Sequence, residues 1–269
     1  MIDLLLPSAN SSYFTEASDQ ARDYVDAFTR VGITARPRPW PEAGDAPALA
    51  LLAWGYHLDA SRWMDLLDRW PAEVPLFNPA ALMRWNTRKT YLAELERAGV
   101  PTVPTLFGAP DPQAFDQLGT DELVVKPQVS AGSHLTRRIR RGDPLPELAD
   151  AMVQPFLLAI QSEGEYSLFY IADALTHAIV KRPAGDDFRI QPQFGGRNEP
   201  WAPDAEALGV AEAALRAVPT PAIYARIDLV RRADGRLALI ELEAIEPDLY
   251  FDHGPDVLDR LAEAVAQAL

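Results

Sequence analysis

Three carboxylates near the C-terminus, Asp228, Glu241 and Glu243, lie on two runs of residues that are typical of β-strands. The dipeptide Asp234-Gly235 between the runs favours a hairpin with a two-residue turn. With that turn Asp228 lies directly opposite Glu241, and Glu243 shares their face because strand side chains alternate with period two. The intervening positions are apolar and should fill the opposite face: Ile227, Leu229, Ile240 and Leu242.

Like charges placed opposite each other in a hairpin are destabilising, so this face requires a compensating cation. Arg226 lies across from Glu243 in the same register and supplies part of that charge. A hard divalent ion such as Mg²⁺ takes oxygen ligands and is commonly held by one or two carboxylates together with substrate phosphates. The residues alone leave two interpretations about even, a magnesium site and a solvated acidic strand face.

A second candidate is Lys126, which ends a β-type run and precedes a loop of small residues, Ser130, Ala131, Gly132 and Ser133. Small side chains let backbone N–H groups approach phosphate oxygens, and the lysine adds a point charge. The order differs from a P-loop, in which the lysine follows the glycines. An ordinary surface turn therefore competes with a phosphate-binding loop.

Basic residues recur near glycines further along the chain, at Lys181, at Arg189 and at Arg197 after Gly195-Gly196. Arginine favours bidentate recognition of carboxylates, so an anion clamp and ordinary surface charge are both open here. The four histidines show no metal-ligand spacing, and each is interpreted as a solvated or hydrogen-bonded imidazole: His57, His134, His177 and His253.

The segments that position these residues show both helix-type and strand-type patterns, and this mixture predicts an α/β fold with α+β lobes. In the first eighty residues we expect strands at Ile2–Leu6, Ile33–Arg36 and Ala48–Ala53, a helix ended by Gly32, and a helix that Ser61 caps. We then expect a helix over Thr87–Ala98, strands over Val100–Leu106 and Glu122–Lys126, strand-like runs between 151 and 182, and a helix over 203–217. Prolines at 71, 75 and 79 mark the first boundary. The predicted lobes are an open α/β lobe at 1–80, a small central lobe at 81–155 and a C-terminal lobe at 156–269.

Composition narrows the function classes. The chain has 269 residues, no cysteine and a formal net charge of -14. Such a charge repels nucleic acid and anionic membrane surfaces, and the absence of cysteine excludes disulfides, thiol nucleophiles and Cys-ligated metals. No targeting or membrane-spanning segment is evident, so a cytoplasmic location is expected. A homodimer is an expectation only because dimers are common among soluble enzymes.

Taken in order, these pieces resemble the ATP-grasp superfamily, in the branch similar to glutathione synthetase, over residues 78–243. The resemblance implies an ATP-grasp fold with nucleotide held between the central and C-terminal lobes. It implies ATP contacts from a helix lysine, a strand lysine with its glycine-rich lid, an adenine-reading linker, a ribose-binding glutamate and a further lysine: Lys89, Lys126, Ser130, Ala131, Gly132, Ser133, Gln154, Phe156, Leu157, Glu165 and Lys181. It also implies that Asp228, Glu241 and Glu243 bind Mg²⁺ or Mn²⁺, and that Arg189 and Arg197 bind the substrate carboxylate.

The implied activity is that of an ADP-forming carbon–nitrogen ligase that works through an acyl phosphate, with Arg189, Arg197 and Lys181 in catalytic roles. Glutathione synthetase carries asparagine where this chain has Glu243, which argues against thiol-peptide synthesis. The ending Glu-Leu-Glu-Ala-Ile-Glu-Pro is similar to the cyclo-ligases that close O-ureido-serine to cycloserine. The implied partner is a small amino-acid-like molecule. Two alternatives remain: a ligase that joins two separate substrates, and a regulatory protein that binds nucleotide without turnover.

Overall fold

The computed structural model describes residues 1–184 and 195–269, and its described part contains three β-sheets. One sheet lies in each third of the chain, with helices packed around them. The expected mixed α/β fold is confirmed. Residues from all three thirds line one large cavity, so the arrangement of the sheets decides which side chains meet there.

The N-terminal third is an open α/β lobe with a parallel sheet. It contains β1 (Ile2–Leu6), α1 (Phe14–Arg30), β2 (Ala35–Pro39), β3 (Ala48–Leu49), α2 (Ala60–Asp68) and β4 (Leu76–Phe77). The strand order is β2-β1-β3-β4, and every residue of β1 is buried. Helix α1 buries Ala17, Ala21, Tyr24 and Phe28, the helical spacing that predicted it.

Three boundaries in this lobe differ from the sequence prediction. Strand β3 ends at Leu49 rather than at residue 53, because the chain turns there and the N–H of Ala53 donates to the carbonyl of Ala50 at 2.9 Å. Strand β2 covers Ala35–Pro39 instead of residues 33–36. Helix α2 is capped by Asp59 rather than by Ser61, since the Asp59 carboxylate accepts from the N–H of Arg62 at 3.4 Å.

The predicted helix over Thr87–Ala98 is wrong in its first turn. The chain forms α3 (Ala80–Thr87) and α4 (Tyr91–Arg97), separated by Arg88 in an extended conformation. The N–H of Lys89 leaves the helical pattern and donates to the carbonyl of Gln128 at 2.8 Å. The break therefore fastens this segment to the loop that follows Lys126.

The central third holds a small antiparallel sheet. Its elements are β5 (Leu106–Phe107), α5 (Ala114–Gln117), β6 (Glu122–Pro127), β7 (Arg137–Arg140) and β8 (Ala151–Pro155), and the strand order is β5-β8-β6-β7. The strand expected over 100–106 is reduced to β5, because Thr102 instead forms an isolated bridge to Leu239 of the C-terminal third. Strand β6 has the predicted position and delivers Lys126 at its end.

The C-terminal third contains the longest strands. Its elements are α6 (Ala159–Ser162), β9 (Glu165–Ile171), β10 (Ala174–Arg182), β11 (Arg197–Pro200), α7 (Ala205–Ala217), β12 (Tyr224–Arg231), β13 (Leu237–Glu243) and α8 (Val257–Ala268). The sheet is antiparallel in the order β11-β10-β9-β12-β13. The predicted helix over 203–217 and the predicted hairpin are both confirmed.

Three helices pack across the predicted lobe boundaries. Helices α3 and α4 place Leu82, Tyr91 and Leu95 in the apolar core of the C-terminal sheet. Helix α8 returns to the N-terminal lobe, where Leu261 and Val265 share a core with the residues of α1. Among the residues that the structure describes, no helix is both long and apolar enough to span a bilayer.

Candidate active site

The cavity where the three lobes meet has a volume of about 700 Å³. Its floor is the acidic face of the β12–β13 hairpin, and its walls come from α4, β6, β9, β10 and the loops of the N-terminal lobe. A cavity of this size, rich in titratable side chains, is the default candidate for an active site.

The hairpin brings the acidic residues together as predicted, but by a different route. Asp228 lies opposite Glu241 and Arg226 opposite Glu243. The turn has three residues between Arg232 and Arg236, whose backbones pair at 2.9 Å, and this longer turn offsets the register by one position. A β-bulge between the turn and Asp228 restores the register.

The bulge also changes the place of one apolar side chain. Ile240 was expected on the apolar face of the hairpin, opposite the acids. It lines the cavity next to Glu241, whereas Leu239 packs into the core of the sheet. The extra residue on β13 reverses the alternation at this point, so the cavity floor gains an apolar contact surface.

Asp228 is the centre of a buried ion-pair network. Its side chain is 2% exposed and accepts hydrogen bonds from Arg226 at 2.9 Å, from Lys181 at 3.2 Å and from the Ser167 hydroxyl. Burial disfavours the charged carboxylate, but the charges of Arg226 and Lys181 prevail and hold the pKa of Asp228 well below its usual range. Asp228 is therefore ionised, and all its known partners are cations or hydrogen-bond donors.

Lys181 joins this network to Glu165. Its ammonium lies 2.7 Å from the Glu165 carboxylate, and both side chains are largely buried. Burial opposes the charge of Lys181, but Asp228 and Glu165 raise its pKa above the usual lysine value. Gly164 lets the backbone before Glu165 lie close to the backbone of Lys181, because a Cβ at Gly164 would lie 2.5 Å from the carbonyl oxygen of Lys181.

Two further lysines face Glu241. Lys89 is 5% exposed, lies 3.0 Å from the Glu241 carboxylate and donates to the carbonyl of Ser130 at 2.5 Å. Lys126 has no carboxylate within ion-pair distance in the described chain, and burial lowers its pKa although Glu241 opposes the shift. Lys126 is thus a cation at the cavity wall whose charge is only partly compensated.

Glu243 completes the floor. It shares Arg226 with Asp228, and its side chain keeps 23% exposure toward the cavity. Burial raises the pKa of Glu243 well above its ordinary value despite the attraction of Arg226, and the negative charge of Glu241 adds to the rise. An additional cation at the floor would favour its ionised form.

The small-residue loop after Lys126 covers the cavity. Ser130, Ala131, Gly132 and Ser133 all line it, and Gly132 and Ser133 both have positive φ. Lys89 fixes the base of the loop through the contacts to Gln128 and Ser130 described above. His134, next to the tip, lies over His57 of the N-terminal lobe with ring centroids 5.4 Å apart. The loop therefore bridges the central and N-terminal lobes.

No protein-family model matches the chain. The cycloserine biosynthesis protein DcsG of Streptomyces lavendulae is 29% identical over 278 residues, which cover 91% of this chain and 92% of that protein. The crystal structure of D-cycloserine synthetase DcsG matches with a TM-score of 0.83 and 27% identity, over 100% of this chain and 99% of that one. The structure of the ATP-grasp ligase PsnB with minimal precursor, Mg and ADP matches in fold only, over 100% of this chain and 97% of that one, with a TM-score of 0.68 and 17% identity.

The chain is an ATP-grasp ligase. A glutathione synthetase from Prochlorococcus marinus (strain MIT 9313) is also 29% identical, over 222 residues that cover 73% of this chain and 68% of that enzyme. The family resemblance stated from the sequence is thereby confirmed, and so is its leaning toward the cycloserine synthetase subgroup.

The structure of this ATP-grasp ligase brings most of the predicted nucleotide-site residues to one cavity. The described residues that line it include Lys89, Lys126, Ser130, Ala131, Gly132, Ser133, Gln154, Leu157, Glu165, Lys181, Asp228, Glu241 and Glu243. Their roles toward ATP stay predictions. Phe156 is buried beside the cavity, beneath the Arg138 guanidinium at 3.6 Å, and its backbone N–H donates to the carbonyl of Glu122.

The two arginines predicted to bind the substrate carboxylate have different outcomes. Arg189 lies outside the described residues. Arg197 is exposed on the edge strand β11 and is not among the described residues that line the cavity. The arginine that the structure does place there is Arg226, which the sequence suggested only as a counter-ion for the acids.

The carboxylate oxygens of the acidic floor are of the type that binds a hard divalent cation, but only part of them are placed to do so. Glu241 and Glu243 offer carboxylate oxygens to the cavity, whereas Asp228 is already surrounded by Arg226, Lys181 and Ser167. Within the described residues, no group of three His, Asp or Glu side chains has a geometry ready to hold a metal ion. Metal binding by Asp228, Glu241 and Glu243 stays a prediction, and the structure shows Asp228 as an ion-pair partner of Arg226 and Lys181.

The sequence missed the wall that the N-terminal lobe contributes. His57 was interpreted as a solvated or hydrogen-bonded imidazole, but its side chain is 9% exposed and neither ring nitrogen has a hydrogen-bond partner among the described residues. Burial lowers the pKa of His57 to about 4, with a further contribution from His134, so the imidazole is neutral at pH 7. Tyr13 packs edge-on against it, and a Cβ at Gly55 would meet the Tyr13 ring at 2.9 Å.

Glu246 lies on the same wall and was also missed as a site residue. It is 9% exposed, lines the cavity and forms no ion pair within the described chain. Burial raises the pKa of Glu246 to about 7, although the charge of Lys89 opposes the shift. No local signal identifies such residues, because the tail after β13 meets the N-terminal lobe only through the tertiary fold.

Proposed function

We propose that the chain is an ATP- and Mg²⁺-dependent carboxylate–amine ligase that forms ADP through an acyl phosphate. The supporting observation is the concentration of Lys89, Lys126, Lys181 and Arg226 around a carboxylate floor, beneath a loop of small residues. Phosphoryl transfer requires positioning and charge neutralisation more than covalent participation by the protein. This cavity offers both and contains no cysteine that would act as a nucleophile.

Lys126 is the cation best suited to receive a phosphate, because no carboxylate of the described residues lies within ion-pair distance of it. Lys89 and Lys181 are held in place by Glu241 and Glu165, and Asp228 orients Arg226 toward the centre of the floor. Glu241 and Glu243 would hold Mg²⁺, which supplies charge neutralisation for the transferring phosphoryl group when bound. Gln154 and Leu157 line the wall proposed to receive the base.

The substrate carboxylate attacks the γ-phosphate of ATP, ADP leaves, and an amine then displaces phosphate from the acyl phosphate. Arg226 is positioned to stabilise negative charge on the carboxylate and its acyl phosphate, with Arg189 and Arg197 as the arginines that the resemblance proposes. Closure of the loop over Ser130 to Ser133 excludes water from the acyl phosphate, because its tip already contacts His57 through His134.

The similarity to DcsG along the whole chain favours a small amino-acid derivative as substrate and favours cyclisation within one molecule. A ligase that joins two separate molecules is the second candidate, since glutathione synthetase matches with equal identity over a shorter region. The two differ in the number of substrates required for turnover.

The test is nucleotide turnover with Mg²⁺ across amino acids and small amino-acid derivatives, alone and in pairs, with ADP, AMP and phosphate separated. ADP and phosphate released with a single substrate support the cyclo-ligase, and release that requires a pair supports the two-substrate ligase. AMP would refute the acyl-phosphate route. Nucleotide binding without stimulated turnover would indicate a regulatory protein instead.

A further inference from the structure

Lysine is scarce in this chain, and every lysine lies in the candidate active site. Three of the 25 basic residues are lysines, Lys89, Lys126 and Lys181, and the others are arginines. All three line the same cavity. The surface outside the cavity therefore has no lysine amine, and a reagent that acylates lysine side chains finds its targets only inside the cavity.

Two of the three amines are held in buried ion pairs. Lys89 lies 3.0 Å from the carboxylate of Glu241 and is 5% exposed. Lys181 lies 2.7 Å from the carboxylate of Glu165 and is 3% exposed. A neighbouring carboxylate favours the protonated amine, which has no electron pair free to attack a carbon atom. Lys89 and Lys181 are therefore poor nucleophiles.

Lys126 is the amine that remains free to react. It is partly exposed and lines the cavity, and no carboxylate of the described residues lies within ion-pair distance of its nitrogen. Burial lowers the pKa of Lys126 against the charge of Glu241, and the charge of Lys89 adds to the fall. A larger share of this amine is thus neutral than in an exposed lysine, which is the usual basis of a nucleophilic lysine.

The loop that follows Lys126 favours an electrophile that carries a phosphate. Ser130, Ala131 and Gly132 line the cavity there, and small side chains let backbone N–H groups approach phosphate oxygens. An acyl phosphate has such a phosphate and, one oxygen atom away, an electrophilic carbonyl carbon. A phosphate bound in this region therefore brings an acyl carbon close to the Lys126 amine, and proximity of this kind accelerates a reaction strongly.

We propose that Lys126 is an acylation site, at which an acyl phosphate transfers its acyl group to the Nζ amine and weakens nucleotide binding. The amine attacks the carbonyl carbon, the bond from that carbon to the bridging oxygen breaks, and inorganic phosphate leaves with the electron pair. The nitrogen releases a proton to the solvent, and the product is an uncharged amide. No oxidant or reductant is required.

The inference rests on the proposed function for the binding of phosphate in this region. The same function supplies one donor, because the proposed reaction forms an acyl phosphate inside the cavity. Such an intermediate is consumed when its amine acceptor is present, whereas one that persists acylates Lys126 and removes the charge proposed to contact ATP. A second source is an acyl phosphate that enters from solution.

The first arm of the experiment tests the donor from solution. The protein is incubated in EDTA with acetyl phosphate, or with a simple acetyl thioester that carries no phosphate. Peptide mass spectrometry then gives the acetylated fraction of each lysine and of the α-amino group of Met1, a residue that is 62% exposed. Arg137→Lys provides an ordinary exposed lysine on β7 as the matched control. In a protection sample, a non-hydrolysable ATP analogue and Mg²⁺ replace EDTA.

The second arm tests the donor formed in the cavity. The protein is incubated with ATP, Mg²⁺ and each amino-acid derivative of the turnover panel, without acetyl phosphate, and is mapped for added acyl groups. Lys126→Arg keeps the positive charge, but its guanidinium does not lose a proton and cannot be acylated in this way. ATP affinity is measured by calorimetry before and after each treatment.

We expect acetyl phosphate to acetylate Lys126 at least about 10-fold faster than the lysine introduced by Arg137→Lys, and the thioester to show no such preference. The ATP analogue, well above its Kd, should slow acetylation of Lys126 at least about 10-fold because it occupies the phosphate region. Acetylated wild-type protein should bind ATP at least about 10-fold more weakly. Acetyl phosphate should leave the ATP affinity of Lys126→Arg as it was before treatment.

The acylation site is overturned by faster acetylation of Lys89 or Lys181, by an equal rate at the introduced surface lysine, or by the absence of protection. Acyl groups on Lys126 in the second arm would support the site and identify the intermediate as a donor. Acetylation of Lys126 without ADP release from any substrate would support the site and refute the proposed ligase activity. ADP release with Lys126 unmodified in both arms would do the reverse.

Discussion

Replacement of Asp228 by asparagine separates two roles that this carboxylate can have. If Asp228 acts only as a metal ligand, the protein without metal should be as stable as the wild type or more so, since a buried negative charge is removed. If Asp228 anchors the buried cations, as the structure shows, the metal-free protein should lose stability. The predicted result is a loss of stability in the absence of Mg²⁺.

The magnitude follows from the partners of Asp228. Breaking a buried ion pair by removal of one partner costs about 3–5 kcal/mol. Lys181 keeps Glu165 at 2.7 Å and Arg226 keeps Glu243, so we expect the lower end, about 3 kcal/mol. The asparagine amide also replaces one acceptor oxygen by an N–H₂ donor that faces other donors, so only the remaining oxygen can still accept hydrogen bonds.

The assay is urea unfolding followed by the fluorescence of the six tryptophans, with EDTA present throughout. For a urea dependence of about 3 kcal/mol per molar, typical of larger domains, the midpoint should fall by about 1 M. Asp259→Asn is the control: it breaks a pair with Arg30 at 2.5 Å whose side chains are 55% and 49% exposed, which should cost at most about 1 kcal/mol.

The reasoning is refuted if Asp228→Asn unfolds within the range of Asp259→Asn. That result would mean that Lys181 and Arg226 are stabilised by Glu165 and Glu243 alone. It would also return Asp228 to the role of a metal ligand held ready by the cations.

Three further results are expected. Lys126→Ala should weaken ATP binding at least about 10-fold in calorimetry, because a partly uncompensated cation at the cavity wall is lost. The control Arg137→Ala, on the exposed side of β7, should leave ATP binding unchanged. Equal affinities of the two variants for ATP would exclude a phosphate contact by Lys126. His134→Ala should increase the ADP released per product formed, because the loop loses its contact with His57 and admits water; an unchanged ratio would show that this contact does not matter. Burial lowers the pKa of His177 to about 4, below the unfolded value of about 6.5. Between these two pH values the unfolded state binds more protons than the folded state, so the free energy of unfolding decreases as the pH falls from about 6.5 to about 4. Partial exposure limits this contribution to about 1–2 kcal/mol, and His177→Gln should reduce the difference in urea midpoint between pH 7 and pH 5; an unchanged difference would contradict the assignment.

The hairpin illustrates what local sequence can and cannot predict. The predicted pairing of Asp228 with Glu241 is correct, although it was derived from a two-residue turn and the structure reaches it through a three-residue turn and a bulge. The turn length was wrong, and the bulge that compensates for it has no separate signature in the sequence. The missed bulge changes the lining of the candidate active site, because it turns the side chain of Ile240 into the cavity.

The nucleotide side of the cavity was easier to predict than the substrate side. Lysines and small-residue loops next to strands have recognisable order along the chain, so Lys126 and Ser130 could be proposed together. Tyr13, His57 and Glu246 come from segments far apart in sequence, none of which has a recurring pattern. Their association depends on how the N-terminal lobe packs on the tail after β13, which periodicity does not specify.

The free edge of β13 shows how the fold holds the acidic floor in place. The side-chain amide of Asn86 donates to the carbonyl of Leu242 and accepts from the N–H of Ala244, both at 2.8 Å, and the Tyr91 hydroxyl bonds both backbone groups of Leu242. Side chains of α3 and α4 thus replace a neighbouring strand along the stretch that carries Glu241 and Glu243. The break at Arg88 lets the same segment satisfy this edge and direct Lys89 toward Glu241. A continuous helix over 87–98, as the sequence predicted, would have matched the local helix propensity. It would also have placed Lys89 within a regular helix instead of in the break after Arg88. The break in the helix is therefore what assembles the pair of Lys89 with Glu241.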